Sequence, residues 1–289
     1  MTYAFYPGCS LLGTAKDYYM STVAVADALG LDLKEVPDWI CCGASPGHQT
    51  DKLMGLALPA QVINDAARDG QDNEILTVCA ACYHRLRTAE HSLGENPELR
   101  SQVSEVLGEE FHSLPVRHFL DILVRDIGLD KIEDAVKKPL EGLTAACYYG
   151  CMLTRPPEIA FDDVENPTMM DQLCRAVGME TVEWGYKTEC CGAALAIPHS
   201  EIVVRLVGDI VRIAKESGAE CIVVACPLCQ SNLDMRQAEA AKSLGITLDL
   251  PVLYFTQVLG LALGLSPKVL GLQKAITDSR PLLRAKGLI

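Results

Sequence analysis

The sequence predicts an α/β protein made of two copies of one unit, each a mainly parallel sheet with helices on its faces. Three observations carry that reading. Five cysteines occur in one order and then occur again in the same order. The residues around and after them repeat too. Within each copy, strand-like and helix-like segments alternate, as they do where crossover helices join parallel strands.

The first copy reads Cys9, then Cys41-Cys42-Gly43-Ala44, then Cys79-Ala80-Ala81-Cys82, and the second reads Cys151, then Cys190-Cys191-Gly192-Ala193, then Cys226-Pro227-Leu228-Cys229. The gaps are 31 and 36 residues in the first and 38 and 34 in the second. Tyr6-Pro7-Gly8-Cys9 resembles Tyr149-Gly150-Cys151, and Leu114–Phe119 resembles Leu250–Phe255. Leu123, Gly128 and Leu129 then match Leu259, Gly264 and Leu265 at the same offset. The charged stretch Asp130–Lys138, ending at Pro139, marks a seam near residues 130–142 and sets the domains at 1–138 and 139–289.

The elements follow in order. Tyr3–Tyr6 is a short aromatic and apolar strand, and Thr14–Leu29 has helical spacing. Ile75–Cys79 and Cys221–Cys226 are apolar runs of buried-strand length. Ser200 is an N-cap candidate for a helix over Glu201–Glu216, whose apolar stripe runs from Ile202 to Ala214 before Gly218 ends it. Each half therefore reads as Rossmann-like or flavodoxin-like, and the duplication makes the halves pseudo-symmetric. Leu250–Leu265 is the most apolar stretch, but a membrane span needs about 20 apolar residues. Its counterpart Leu114–Leu129 carries Arg117, His118, Asp121, Arg125 and Asp126, so a buried core helix is expected and no transmembrane segment.

Composition bounds the function. Acidic residues outnumber Lys and Arg 38 to 25, for a net charge of −13, which argues against a nucleic-acid partner. The N-terminus has neither a basic region nor a long apolar one, so no secretory signal is read and a cytoplasmic location is expected. The 13 cysteines are an odd number in a chain too long to need disulfide staples, and clustered cysteines in a reducing compartment point to metal or redox chemistry.

Ligands of an open parallel sheet sit beyond the carboxyl ends of its strands. Cys79 and Cys226 each end a strand and open a Cys-x-x-Cys step into a helix, where the N-terminal field favours thiolate. Cys9 and each Cys-Cys-Gly also join a strand to a helix, with glycine allowing a tight turn beside a bulky ligand. All five cysteines of a half thus converge on one rim. A thioredoxin-like dithiol leaves three of them unexplained, and a vicinal disulfide needs no neighbouring Cys-x-x-Cys. Structural zinc takes four ligands, so zinc fits less well, though zinc in one half stays open. A cubane iron–sulfur cluster also takes four, so five point to a cluster of unusual geometry in each half.

Other candidates lie outside the repeated cysteine set. Cys174 and Cys221 read as small core residues. Cys147 competes with Cys151 as the first ligand of the second half, and alignment on Gly-Cys favours Cys151. Arg85, Arg155, Lys187 and Arg236 near the motifs are candidates for binding an anionic disulfide or persulfide, against the plain reading of solvated charges. His48 and His199 follow the two Cys-Cys-Gly motifs and are candidate proton donors to a leaving thiolate.

A distant Cys, a Cys-Cys-Gly and a Cys-x-x-Cys, repeated over nearly the whole chain, resemble the cysteine-rich CCG-domain family, whose best-known member is the B-type subunit of heterodisulfide reductase. The resemblance implies two non-cubane [4Fe–4S] clusters, one on Cys9, Cys41, Cys42, Cys79 and Cys82 and the other on Cys151, Cys190, Cys191, Cys226 and Cys229. It implies reductive cleavage of a disulfide between them, an iron–sulfur C-type subunit that delivers electrons, and a flavin-containing A-type subunit. Two one-electron centres facing one S–S bond also suit a two-electron cleavage. Met152 stands where methanogen enzymes are expected to carry His, which aligns the chain with the bacterial branch and away from the coenzyme M–coenzyme B disulfide. The competing expectation is a non-catalytic electron-transfer or anchoring subunit of a succinate dehydrogenase-like complex.

Overall fold

The computed structural model describes residues 1–44, 46–68 and 74–289; Ser45, inside the Cys41–Pro46 run, lies outside them. The chain forms two four-stranded sheets, and every strand pair in both is parallel. The first contains β1 (Thr2–Phe5), β2 (Asp32–Glu35), β3 (Ile75–Thr77) and β4 (Val116–His118) in the order β2-β1-β3-β4. The second contains β5 (Thr144–Tyr148), β6 (Glu180–Thr181), β7 (Cys221–Val224) and β8 (Val252–Tyr254) in the order β6-β5-β7-β8. The duplication read from the cysteines is therefore a duplication of topology. β3, β7 and β8 are buried at every residue, as strands covered on both faces must be.

In each sheet the chain leaves the central strand toward one edge and returns on the other side, so the topological switch lies between β1 and β3, and between β5 and β7. The first cysteine of a half follows one of these strands and its Cys-x-x-Cys follows the other. The Cys-Cys-Gly turn comes after the neighbouring edge strand, β2 or β6. Strand order alone thus brings three separated pieces of sequence to one crevice.

Most boundaries agree with the sequence reading to within two residues, including the helix Lys16–Ala28. The helix expected from Glu201 begins at Ser200, with His199 as its cap residue. The stretch 250–265 is not one helix: β8 comes first, and the helix Phe255–Ala262, buried at every position, follows. An all-apolar run hides the change of period. What ends the strand is a capping box, in which the Gln257 side chain accepts from Tyr254 N at 3.0 Å. Among the described residues no helix is long and apolar enough to cross a membrane. The seam is ordered as well: Leu129–Ala135 is helical, and the N–H groups of Lys137 and Lys138 both donate to Ala262 O, at 2.8 and 3.0 Å.

The halves pack on each other through an aromatic joint. Tyr18 stacks on Tyr254 with ring centroids 3.9 Å apart and an interplanar angle of 6°. Beside it the Ser21 and Thr256 hydroxyls lie 2.7 Å apart, and Tyr18 OH donates to Val78 O at 2.6 Å. A stacked pair adds about 0.5–1.5 kcal/mol beyond its burial.

Candidate iron–sulfur site

Each half positions its cysteines by the same local devices. In the first, Tyr6 OH donates to Ile40 O and accepts from Cys42 N, both at 2.9 Å, which ties the end of β1 to the Cys-Cys-Gly turn. In the second, Tyr148 OH donates to Glu189 O at 2.6 Å, at the matching place before Cys190. The hydrogen bonding makes Tyr148, not Tyr149, the counterpart of Tyr6. Gly8 and Gly150 precede the first cysteine of each half in left-handed backbone, at φ +70° and +69°. A Cβ on Gly8 would lie 2.8 Å from Cys82 Sγ, and one on Gly150 3.2 Å from Cys229 Sγ. Glycine here therefore gives the conformation and also leaves room for a sulfur. At the Cys-Cys-Gly glycines the crowding comes from Leu58 at Gly43 and from Leu206 and Val203 at Gly192, not from the cysteines.

The sulfurs lie in short contacts. Cys9 and Cys41 are 3.8 Å apart, Cys42 and Cys82 3.6 Å, and Cys191 and Cys229 3.5 Å. Cys151 hydrogen-bonds to Cys190, which also accepts from Gly192 N at 3.3 Å. Between the halves the Cys79 thiol meets Cys226, and Ala80 N donates to Ala225 O at 3.3 Å. The two cysteine sets therefore border one another at the joint. Cys147 is not with them: it is fully buried on β5, with its sulfur 3.8 Å from that of Cys174. Cys221 is buried at the start of β7.

These thiols share protons. Hydrogen bonding with Cys41 and Cys82 holds Cys42 well below the usual thiol range, and hydrogen bonding with Cys151 brings Cys190 down to about 6. Cys226 is lowered by its bonds from Cys229 and Cys79. Their partners are raised in turn: Cys82 by hydrogen bonding with Cys42, Cys79 by hydrogen bonding with Cys226, and Cys229 by hydrogen bonding with Cys191. Removing every proton would crowd like charges around the buried members of each set, Cys42, Cys79 and Cys82 in one and Cys191, Cys226 and Cys229 in the other, and a cation among the sulfurs would offset that cost.

The five cysteines of the second half line one small cavity of about 70 Å³, together with Ala193, Ala194, Met152, Leu228 and, from the first half, Ala80 and Ala81. Its walls are small and apolar, and sulfur is the dominant donor in it, as a thiolate-held cluster requires. Among the described residues no three cysteine, histidine or acidic side chains close on a single metal position.

The other candidates fall elsewhere. His48 is exposed, and His199 is exposed and faces Glu201 at 3.4 Å. Arg155 is exposed and pairs with Glu165 at 3.3 Å. Lys187 is buried against Asp171 at 3.1 Å, and its carbonyl accepts from Tyr149 N and Gly150 N, so it braces the turn before Cys151. Arg85 is buried, and its Nη2 donates to Gly55 O at 2.8 Å. Arg236 pairs with Glu239 and lines a second cavity, of about 500 Å³, which shares Ala193 and Leu228 with the cysteine cavity. Asp17 lines that second cavity too; burial raises its pKa, and nothing in the local sequence marks it beyond a helical position.

Comparison with known proteins agrees with this geometry. The cysteine-rich domain named CCG matches twice, over residues 3–87 and 145–234. The 8-methylmenaquinol:fumarate reductase membrane anchor subunit of Wolinella succinogenes is 32% identical over 97% of this chain and 98% of its own. The B-type subunit of the ferredoxin/F(420)H(2)-dependent CoB-CoM heterodisulfide reductase of Methanosarcina acetivorans is 32% identical over 94% of this chain and 92% of its own. A hypothetical protein from Helicobacter pylori shares the fold at a TM-score of 0.74 and 13% identity, with 96% of this chain covering 52% of that one. With the cysteine pattern, the sheet topology and the sequence match in agreement in both halves, the chain belongs to the cysteine-rich CCG domain family and carries the domain twice.

Proposed function

We propose that this chain is the iron–sulfur subunit of a heterodisulfide reductase-like complex, with residues 1–138 and 139–289 each holding one non-cubane [4Fe–4S] cluster. The meeting of the two cysteine sets at Cys79 and Cys226 carries this reading. Cys9, Cys41, Cys42, Cys79 and Cys82 would hold one cluster, and Cys151, Cys190, Cys191, Cys226 and Cys229 the other. Bound there, the pair would supply two electrons to one S–S bond, one from each side. Cleavage takes up two electrons and two protons and yields two thiols. The alanines around the cysteine cavity leave room beside the sulfurs, of which Cys191, Cys226 and Cys229 are buried. Asp17, in the adjoining cavity, is placed to hold a proton, because burial keeps its carboxyl protonated to higher pH than usual. Arg236 and Lys274 line the same cavity and give it cationic groups for an anionic thiol. Partners in this reading are a C-type iron–sulfur subunit and a flavin-containing A-type subunit.

The resemblance to a membrane anchor subunit favours a second reading, in which the chain relays electrons inside a fumarate reductase-like complex without cleaving a disulfide. Anaerobic purification tests the common part: about four iron and four acid-labile sulfide per half are expected, and stoichiometric zinc with little iron would sink both readings. Dye-coupled assays of the native complex separate them. Oxidation of the reduced dye by a disulfide supports the first reading, and oxidation by a quinone alone supports the second.

A further inference from the structure

The two halves differ by one buried charge at equivalent positions. Three residues beyond the second cysteine of each Cys-x-x-Cys stand Arg85 in the first half and Asn232 in the second. Asn232 hydrogen-bonds the second cysteine of its Cys-Cys-Gly turn, whereas Arg85 is coupled to its own only through charge. Asn232 Nδ2 donates to Cys191 O at 3.0 Å and lies 3.9 Å from Cys191 Sγ. In the first half the charge of Cys42, the residue equivalent to Cys191, favours the Arg85 cation electrostatically, against the cost of its burial. Arg85 is 7% exposed, its Nη2 donates to Gly55 O at 2.8 Å, and its Nε has no partner. Among the described residues no carboxylate pairs with it; the charge that favours it is that of the cysteine site. Gly55 makes the space, since a Cβ there would lie 3.2 Å from Arg85 Nη2. The second site has the opposite bias: exposed Glu189 precedes Cys190 where Ile40 precedes Cys41.

A buried cation with no anion is strongly disfavoured unless its surroundings carry negative charge. A thiolate-bound cluster supplies that charge, and reduction increases it by one. Coulomb energy in a partly buried site is several times its value in water, and cluster potentials respond to net charge and to hydrogen bonds at sulfur. We propose that Arg85 holds the first site at a higher reduction potential than the second, so that the first electron resides there. Arg85 acts on this scheme as a positioning residue for charge, not as a group that touches substrate. The proposal rests on the iron–sulfur reading of both sites.

The test is a redox titration followed by electron paramagnetic resonance, on wild-type protein and on Arg85→Gln, Arg85→Lys and Asn232→Arg. Cys9→Ser and Cys151→Ser identify the signal of each site. In wild-type protein the first site should reduce at the higher potential. Arg85→Gln should weaken reduction of the first site at least tenfold, about 59 mV for a one-electron couple, and leave the second unchanged. Arg85→Lys should retain most of the wild-type value. If the Gln variant fails to load iron, Asn232→Arg decides the matter by raising the second midpoint. Equal midpoints in wild-type protein, equal shifts in the Gln and Lys variants, or an unmoved midpoint in Asn232→Arg would each overturn the proposal. Absence of iron from wild-type protein would instead overturn the iron–sulfur reading beneath it.

Discussion

Cys79 and Cys226 lie opposite one another across the boundary of the two halves, where Ala80 N donates to Ala225 O at 3.3 Å, and each caps the helix that carries its Cys-x-x-Cys. That contact makes two sites behave as neighbours. In protein reduced by one electron at each site, the magnetic resonance spectrum should be broadened or split by spin–spin interaction. Cys9→Ser, which disables only the first site, should leave a simple spectrum from the second. Two independent, unsplit signals in fully reduced wild-type protein would show that the loaded sites do not adjoin.

The two glycines before the first cysteines give a graded expectation. A side chain in left-handed backbone costs roughly 1–2 kcal/mol, and this applies equally at Gly8 and Gly150. The sulfur contacts differ, at 2.8 Å for Gly8 and 3.2 Å for Gly150. Gly8→Ala should therefore displace Cys82 and lower iron content to about half. Gly150→Ala should retain more of its iron, because a shift of a few tenths of an ångström relieves it. Iron and sulfide analysis of the two variants, with circular dichroism as a check on folding, gives the comparison.

Cys147 and Cys151 separate a core sulfur from a site sulfur. Cys151→Ser removes a sulfur that lines the cysteine cavity and should halve iron content and abolish turnover. Cys147→Ser places a hydroxyl in an apolar pocket beside Cys174, at a cost of roughly 1–3 kcal/mol of stability. It should leave iron and activity near wild type. A Cys147→Ser protein without second-site iron, beside an active Cys151→Ser, would reverse the assignment.

Much of this was legible in the sequence because duplication and cysteine spacing are coarse signals that survive drift. Parallel topology followed from Ile75–Cys79 and Cys221–Cys226, buried runs that admit no polar alternation. What stayed hidden depends on contacts between distant residues. Nothing in the local pattern marks Tyr18 as the partner of Tyr254, or Tyr6 and Tyr148 as the braces of the Cys-Cys-Gly turns. β8 was lost in the uniform apolarity of Leu250–Leu265, where only the Gln257 cap ends the strand. His48 and His199 followed the right motifs but are exposed, whereas the buried carboxyl in the adjoining cavity, Asp17, lies in the helix after Cys9, where its sequence position reads as an ordinary helical acid.

His118 gives a pH prediction whose sign follows from its hydrogen bonds. The ring is fully buried; Nε2 donates to Val78 O at 2.8 Å, and Nδ1 accepts from Leu120 N at 3.2 Å. Both nitrogens are satisfied by the neutral ring, and a second proton would set Nδ1–H against the Leu120 N–H. Burial accordingly pushes His118 down to about 4, while an unfolded histidine titrates near 6.5. Between those values the unfolded chain binds a proton that the folded chain does not, so stability is full above about pH 6.5 and declines as the pH falls toward 4. Each unit of separation is worth about 1.4 kcal/mol, so the loss should be on the order of 3 kcal/mol. His84, which burial and Arg85 hold down to about 4, adds to it in the same direction. Urea unfolding of the metal-free chain from pH 7.5 to 4.5 should show midpoints that drop with acidity. In His118→Gln the midpoint should be lower at pH 7.5 but fall less steeply, because one of the two titrating rings is gone. A slope unchanged by that substitution would mean that His118 does not carry the acid sensitivity.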